Sequence, residues 1–174
     1  MTFDIDKSIE ILERTPLVLE MLLDGLSDEW TKNNEGPKSW SPYEIVGHLI
    51  HGEKTDWVTR AKVILSESEN KTFIPFDRFA QLQTNQQTPL KDLLKAFKEL
   101  RDKNLEELKA MQIDAAKLRM KGVHPELGEA NLKELLSTWV VHDLGHISQI
   151  TRVMAKQYKS EVGPWEAYLG ILKK

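Results

Sequence analysis

Two histidines four residues apart carry the chain's clearest chemical signal. His142 and His146 stand in Val140-Val141-His142-Asp143-Leu144-Gly145-His146-Ile147, inside a segment with helical periodicity. Residues four apart lie on one helix face, about 5–6 Å apart at Cβ, so both imidazoles can reach one metal ion. Counting about 100° per residue, both fall on the flank of the apolar stripe and not on its outer back. A second helix of a bundle can then supply a third ligand from the opposite side. The pair lacks the adjacent glutamate that marks metalloprotease helices. Two part-buried histidines making structural hydrogen bonds would show the same spacing.

The candidates for a third ligand are His48 and His51, both on the next histidine-bearing helix. That helix has an apolar arc centred on Val46, Leu49, Ile50, Trp57, Ala61 and Ile64. His48 falls away from it, toward the polar side shared with Glu44 and Thr55, which suits a cleft between helix ends with an open metal position. Spacing does not choose between His48 and His51, and a solvated surface position is the simplest reading of His51. Glu44 lies one turn before His48, where it can orient the ligand or act as a base; its other role is a helix cap. Gln149 shares the wheel sector of His142 and can hydrogen-bond a ligand or substrate. Asp143 points away from a ligand at 142 and is expected in a surface or interhelix salt bridge. His124, before Pro125, is expected in a solvated turn. Trp40 and Trp139 are expected near the site, and Trp57 and Trp165 in bundle contacts.

The elements that position these groups are helices. The first runs from about Asp4 to Gly25, with Pro16 predicting a kink or a restart capped by Thr15. A loop follows over Asn33-Asn34-Glu35-Gly36-Pro37. Ser41-Pro42-Tyr43-Glu44 is a capping box with proline at the first helical position, and opens a second helix reaching about Ser66. Lys71 to Thr88 reads as an irregular crossover with Phe73, Phe76 and Phe79. Thr88-Pro89 opens a third helix carrying Leu90, Leu93, Leu94, Phe97, Leu100 and Leu108. A turn at His124-Pro125-Glu126-Leu127-Gly128 precedes Asn131, which with Glu134 caps a fourth helix reaching about Tyr158. Gly163-Pro164 begins a short C-terminal helix. No segment shows sustained period-2 alternation. The expected architecture is all-α: one four-helix bundle domain over residues 1–174, with a long crossover after helix 2 and a short C-terminal helix.

Composition fits this and excludes several alternatives. The 174 residues suit one domain, and 40% apolar with 29% charged residues is globular. A net charge of −3 without basic clusters argues against nucleic-acid binding. The absence of cysteine removes disulfides, thiolate ligands and cysteine nucleophiles. With no basic-then-apolar N-terminal segment and no long apolar run, a cytoplasmic protein without membrane contact is expected.

Two segments resemble the DinB-like (DinB/YfiT-like) metalloenzyme superfamily. One is Trp40-Ser41-Pro42-Tyr43-Glu44-Ile45-Val46-Gly47-His48-Leu49, a tryptophan and a helix start before a ligand histidine. The other is Trp139-Val140-Val141-His142-Asp143-Leu144-Gly145-His146-Ile147-Ser148-Gln149-Ile150. The resemblance covers nearly the full chain. It implies a metal triad of His48, His142 and His146, with His51 outside, and a divalent metal, zinc or nickel most often. It also implies catalysis through a water or thiol on the metal, a small-molecule substrate, and frequent homodimers. Family members of known activity include transferases and isomerases using low-molecular-weight thiols such as bacillithiol, mycothiol or glutathione. The enzyme expected is therefore a thiol-dependent S-transferase or a metal-dependent hydrolase. A non-catalytic metal- or small-ligand-binding bundle is the alternative, and a structural protein with core histidines the third reading.

Overall fold

In the computed structural model, described over residues 1–84 and 87–173, helices begin where the capping residues place them. Helix α1 spans Ile5–Leu23, with the Asp4 carboxylate accepting from the Lys7 N–H. A short α2, Asp28–Lys32, lies in the following connection. Helix α3, Pro42–Thr55, starts with the Ser41/Glu44 capping box fully formed. Helix α4, Trp57–Leu65, continues it after a break at Asp56, where φ −109° and ψ −85° leave the helical region. The crossover contains a one-turn α5, Gln81–Thr84, and leads to α6, Leu90–Ala110. Helix α7, Leu132–Lys156, starts on the Asn131/Glu134 box. α1, α3–α4, α6 and α7 are the four arms of the bundle: α1 packs on α6 and α7, and α3 packs on α6 and α7. None of the helices among the described residues is long and apolar enough to cross a membrane.

Four expectations change. Pro16 neither breaks nor restarts α1, and Thr15 is no cap: its hydroxyl donates to the Ile11 carbonyl one turn back. Proline has no N–H for the carbonyl of residue 12. The Arg101 guanidinium supplies the missing donor, Nη1 to Leu12 O at 2.7 Å. The second helix is divided at Asp56 instead of running unbroken to Ser66. A hairpin is present, β1 Lys121–His124 against β2 Gly128–Asn131, antiparallel with Lys121 opposite Asn131. Four-residue strands are too short to show alternation against neighbouring turn and cap residues. Finally, the short C-terminal helix is present as 3₁₀ helix over Gly163–Tyr168 and Gly170–Lys173, but its Trp165 is exposed, not packed in the bundle.

The crossover is fastened to this hairpin. Phe73 N–H donates to Val123 O and Val123 N–H to Lys71 O, both at 2.9 Å. Phe73 lies so close over Gly122 that a Cβ there would meet its ring at 2.5 Å.

A polar layer divides the core. On α6, Phe97 belongs to one apolar cluster and Leu105 to another; on α7, Ile150 and Trp139 divide the same way, as do Leu19 and Leu12 on α1. Between them sits Arg101, fully buried. Nη1 donates to Asp143 Oδ2 of α7 at 2.7 Å as well as to Leu12 O, and Nη2 donates to Glu53 Oε1 of α3 at 2.7 Å and Asp143 Oδ1 at 3.2 Å. Asn104 donates to the other Glu53 oxygen at 2.9 Å. One side chain of α6 thus bonds to the other three arms.

Candidate metal centre

His48 comes from the middle of α3, and His142 and His146 from the middle of α7. Their Nε2 atoms converge: His48 to His142 is 3.2 Å and His146 to His142 is 3.1 Å, with the group within 4.8 Å throughout. His48 is buried, contrary to the polar-side position expected from the wheel. The non-helical stretches explain this, because Trp40 and the crossover residue Phe76 cover that face at ring distances of 4.8 and 5.5 Å. His51 is not in the cluster. It meets the Phe76 ring at a tilt, 4.8 Å between centroids, half-buried and one turn further on. The two histidines that spacing left open are therefore separated by geometry.

Burial, reinforced by the charges of His146 and His142, lowers the His48 pKa to about 3. Burial and His142 lower His146 to about 4, partly offset by a hydrogen bond to Gln149. Both imidazoles are neutral at pH 7, the state that ligates metals. Gln149 Oε1 lies 2.9 Å from His146 Nδ1. An amide oxygen only accepts, so Nδ1 carries the proton and Nε2 turns its lone pair into the cluster. The sequence placed Gln149 near a ligand, and it contacts His146.

A divalent cation fits this donor set. Tetrahedral sites with metal–nitrogen bonds of about 2.0–2.1 Å separate neighbouring nitrogens by about 3.3 Å, close to the two separations found. The buried Nδ1 atoms of His48 and His142 have no hydrogen-bond partner. That of His142 lies 4.0 Å from Asp143 Oδ1. If His142 instead carried its proton on Nε2, a lone pair would face that carboxylate. With the proton on Nδ1, the Nε2 lone pairs of His142 and His146 point into one place, where each needs an electrophile.

A cleft of about 530 Å³ opens onto the cluster. Trp40, Trp57 and Phe76 give it aromatic walls, while Asp56, Arg60, Arg78 and His124 give it polar ones. The break at Asp56 directs this carboxylate toward Arg60 Nε at 2.7 Å. Burial pushes its pKa up, against the pull of Arg60 and nearby histidines. His124 is not merely solvated: half-buried in the cleft, it accepts the N–H groups of Glu126 and Leu127 on Nδ1 at 3.2 Å, which places its proton on Nε2. Glu44 is occupied as a cap by the Ser41 N–H at 2.7 Å and hydroxyl at 2.9 Å. Trp57 meets His142 edge-on at 5.0 Å, and Trp139, fully buried, stacks behind Trp57 at 5.8 Å. Asp143 is an interhelix salt-bridge residue, and its partner Arg101 was not foreseen. Burial alone would raise the Asp143 carboxyl, but Arg101 holds it below the ordinary carboxylate value. Two signals for Arg101 exist in the sequence. It falls on the apolar stripe between Phe97 and Leu105, and Pro16 leaves a carbonyl without a donor.

Known proteins share the fold and the family of this chain. No curated protein matches the sequence. Among solved structures the fold is similar to YfiT from Bacillus subtilis, described as a probable metal-dependent hydrolase with an unusual four-helix bundle topology. The TM-score is 0.73 at 18% sequence identity, over 87% of this chain and 86% of that one. The sequence matches the DinB superfamily over residues 11–150. This chain belongs to the DinB superfamily.

Proposed function

We propose that this protein is a divalent-metal-dependent enzyme acting on a small molecule. His48, His142 and His146 hold the ion, and the acceptor is water or a low-molecular-weight thiol. The observation that carries the reading is the convergence of three Nε2 atoms, two of them on imidazoles kept neutral by burial, at the floor of an open cleft. A cation on three neutral ligands supplies Lewis acidity, which lowers the pKa of a water or thiol acceptor toward neutrality. Zinc or nickel suits an all-imidazole donor set.

The protein's own groups complete the site. Asp56 takes a proton from the acceptor, a role supported by its position in the cleft lining and by burial that raises its pKa. Trp40, Trp57 and Phe76 select a flat or apolar substrate portion and exclude water around it. Arg60, Arg78 and the His124 Nε2–H can anchor an anionic substituent. Because the chain has no cysteine, a thiol acceptor must come from the cosubstrate. The structural likeness to a probable hydrolase favours water as acceptor, and thiol transfer is the second reading.

Metal analysis of protein purified without a histidine tag tests the site. About one divalent ion per chain is expected, lost in His142→Ala. An activated ester and an electrophilic dye offered with glutathione, bacillithiol or mycothiol, each with and without chelator, then separate hydrolysis from transfer. Metal binding without chelator-sensitive turnover would make this a non-catalytic binding module. Metal-free protein with no uptake on reconstitution would reject the site.

A further inference from the structure

We propose that Asp143 is the positioning residue for His142: its Oδ1 accepts the Nδ1–H of that imidazole and so presents Nε2 to the metal, with Arg101 holding the carboxylate in place. The inference rests on the reading that His48, His142 and His146 bind a divalent cation. It adds a residue, and a link between the site and the middle of the bundle.

The hydrogen-bond inventory of the polar layer leads to it. Glu53 is filled, with Arg101 on one oxygen at 2.7 Å and Asn104 on the other at 2.9 Å. Asp143 Oδ2 has a short bond to Arg101 at 2.7 Å. Oδ1 has a long one at 3.2 Å, and so retains accepting capacity. Thr15 also faces this carboxylate, and the nitrogen beside Oδ1 is His142 Nδ1 at 4.0 Å, buried and without a hydrogen-bond partner within bonding distance. A hydrogen bond needs about 2.7–2.9 Å for a charged acceptor, so a movement of about 1 Å closes the gap. Ligating histidines usually donate their second ring N–H to a carboxylate, carbonyl or water, which fixes tautomer and ring orientation. Gln149 does this for His146. Asp143 is the corresponding group for His142.

Charge points the same way. Arg101, Glu53 and Asp143 are buried with side-chain exposures of 0%, 1% and 0%, and one cation faces two carboxylates. The layer therefore holds one uncompensated negative charge beside the cluster. A divalent cation on the three imidazoles would more than offset it.

Asp143→Asn and Glu53→Gln remove the same charge from the two sides of Arg101, but only the first lies against His142. Zinc affinity is read by competition with a chromogenic chelator on tag-free, metal-stripped full-length protein. The Co²⁺ absorption spectrum reports ligand geometry. D143N is expected to bind zinc about 10–100-fold more weakly and to alter the Co²⁺ bands, while E53Q, whose amide oxygen still accepts from Arg101 and so keeps α3 in place, stays within about threefold of the parent. Should D143N not fold, ¹⁵N spectra of imidazoles in the zinc-loaded parent decide. They should show His142 protonated at Nδ1, with a downfield proton slow to exchange. Unchanged affinity in D143N, an equal loss in E53Q, or a His142 bound through Nδ1 would overturn the inference. Failure of the parent to bind zinc is distinguishable from these, because it removes the metal site itself.

Discussion

Replacing Arg101 with methionine keeps an unbranched side chain of similar length but removes every donor from the middle of the bundle. Glu53 and Asp143 lose their cation, and breaking one side of a buried ion pair costs about 3–5 kcal/mol. The Leu12 carbonyl also loses its donor, at about 1–3 kcal/mol for a buried unpaired group. The total, about 4–8 kcal/mol, is comparable to the whole stability of many domains. The second part can be isolated because Pro16 is its cause. Pro16→Ala restores an N–H four residues beyond Leu12, and the carbonyl regains a helical donor. P16A should therefore stabilise R101M by at least about 1 kcal/mol more than it stabilises the parent. The assay is urea unfolding of the metal-free parent, both single variants and the double variant, all in the same stabilising osmolyte so that R101M starts folded. If P16A contributes equally in both backgrounds, within about 0.5 kcal/mol, Arg101 is not the substitute donor for the proline-freed carbonyl. The account of why α1 runs unbroken through residue 16 would then be wrong.

Two further outcomes follow from the geometry. His48 and His146 have folded pKa values of about 3 and 4, below the ordinary 6.5 of the unfolded chain, so the unfolded state takes up protons first. Metal-free protein should lose stability as pH falls below about 6.5, by about 2 kcal/mol per histidine at pH 5, and His146→Gln should shallow this dependence in urea midpoints between pH 8 and 5; an unchanged slope would refute the buried neutral state. Gly122→Ala places a methyl against the Phe73 ring and Ile64 and should cost about 1–3 kcal/mol. Its thermal midpoint should fall, and a midpoint equal to the parent's would show that the crossover is not pressed onto the hairpin.

What the sequence revealed depended on how local the signal was. Both capping boxes complete their hydrogen bonds within four consecutive residues, so the starts of α3 and α7 could be read directly. The spacing of His142 and His146 is equally local. The choice of His48 over His51 was not, because a wheel assumes one buried face, and α3 is covered on a second face by Trp40 and Phe76, which follow no helical period. The break at Asp56 carries no proline or glycine to announce it, yet it places a carboxylate in the cleft. The hairpin escaped notice because its strands are four residues each, between a turn and a cap that explained the same letters. Arg101 was the largest omission. A charge on an apolar stripe reads as a gap in the pattern until the acceptors on three other helices are known.

The polar layer has a physical consequence for any ion held beside it. Residues 142 and 143 are consecutive on α7, and 48 and 53 lie little more than one turn apart on α3, so the layer and the histidine cluster share two helices. A displacement of either helix that strains Arg101's bonds to Glu53 or Asp143 also changes the separation of His48 from His142, now 3.2 Å between Nε2 atoms. Arg101 bonds are directional and its planar fork fits few arrangements, whereas apolar contacts tolerate sliding. An apolar residue in its place could yield a bundle just as stable once the carboxylates were also replaced. It would hold the relative depth of α3 and α7 less tightly, by the same few tenths of an ångström on which metal coordination depends. The buried arginine is thus better explained by the alignment of two ligand-bearing helices than by stability.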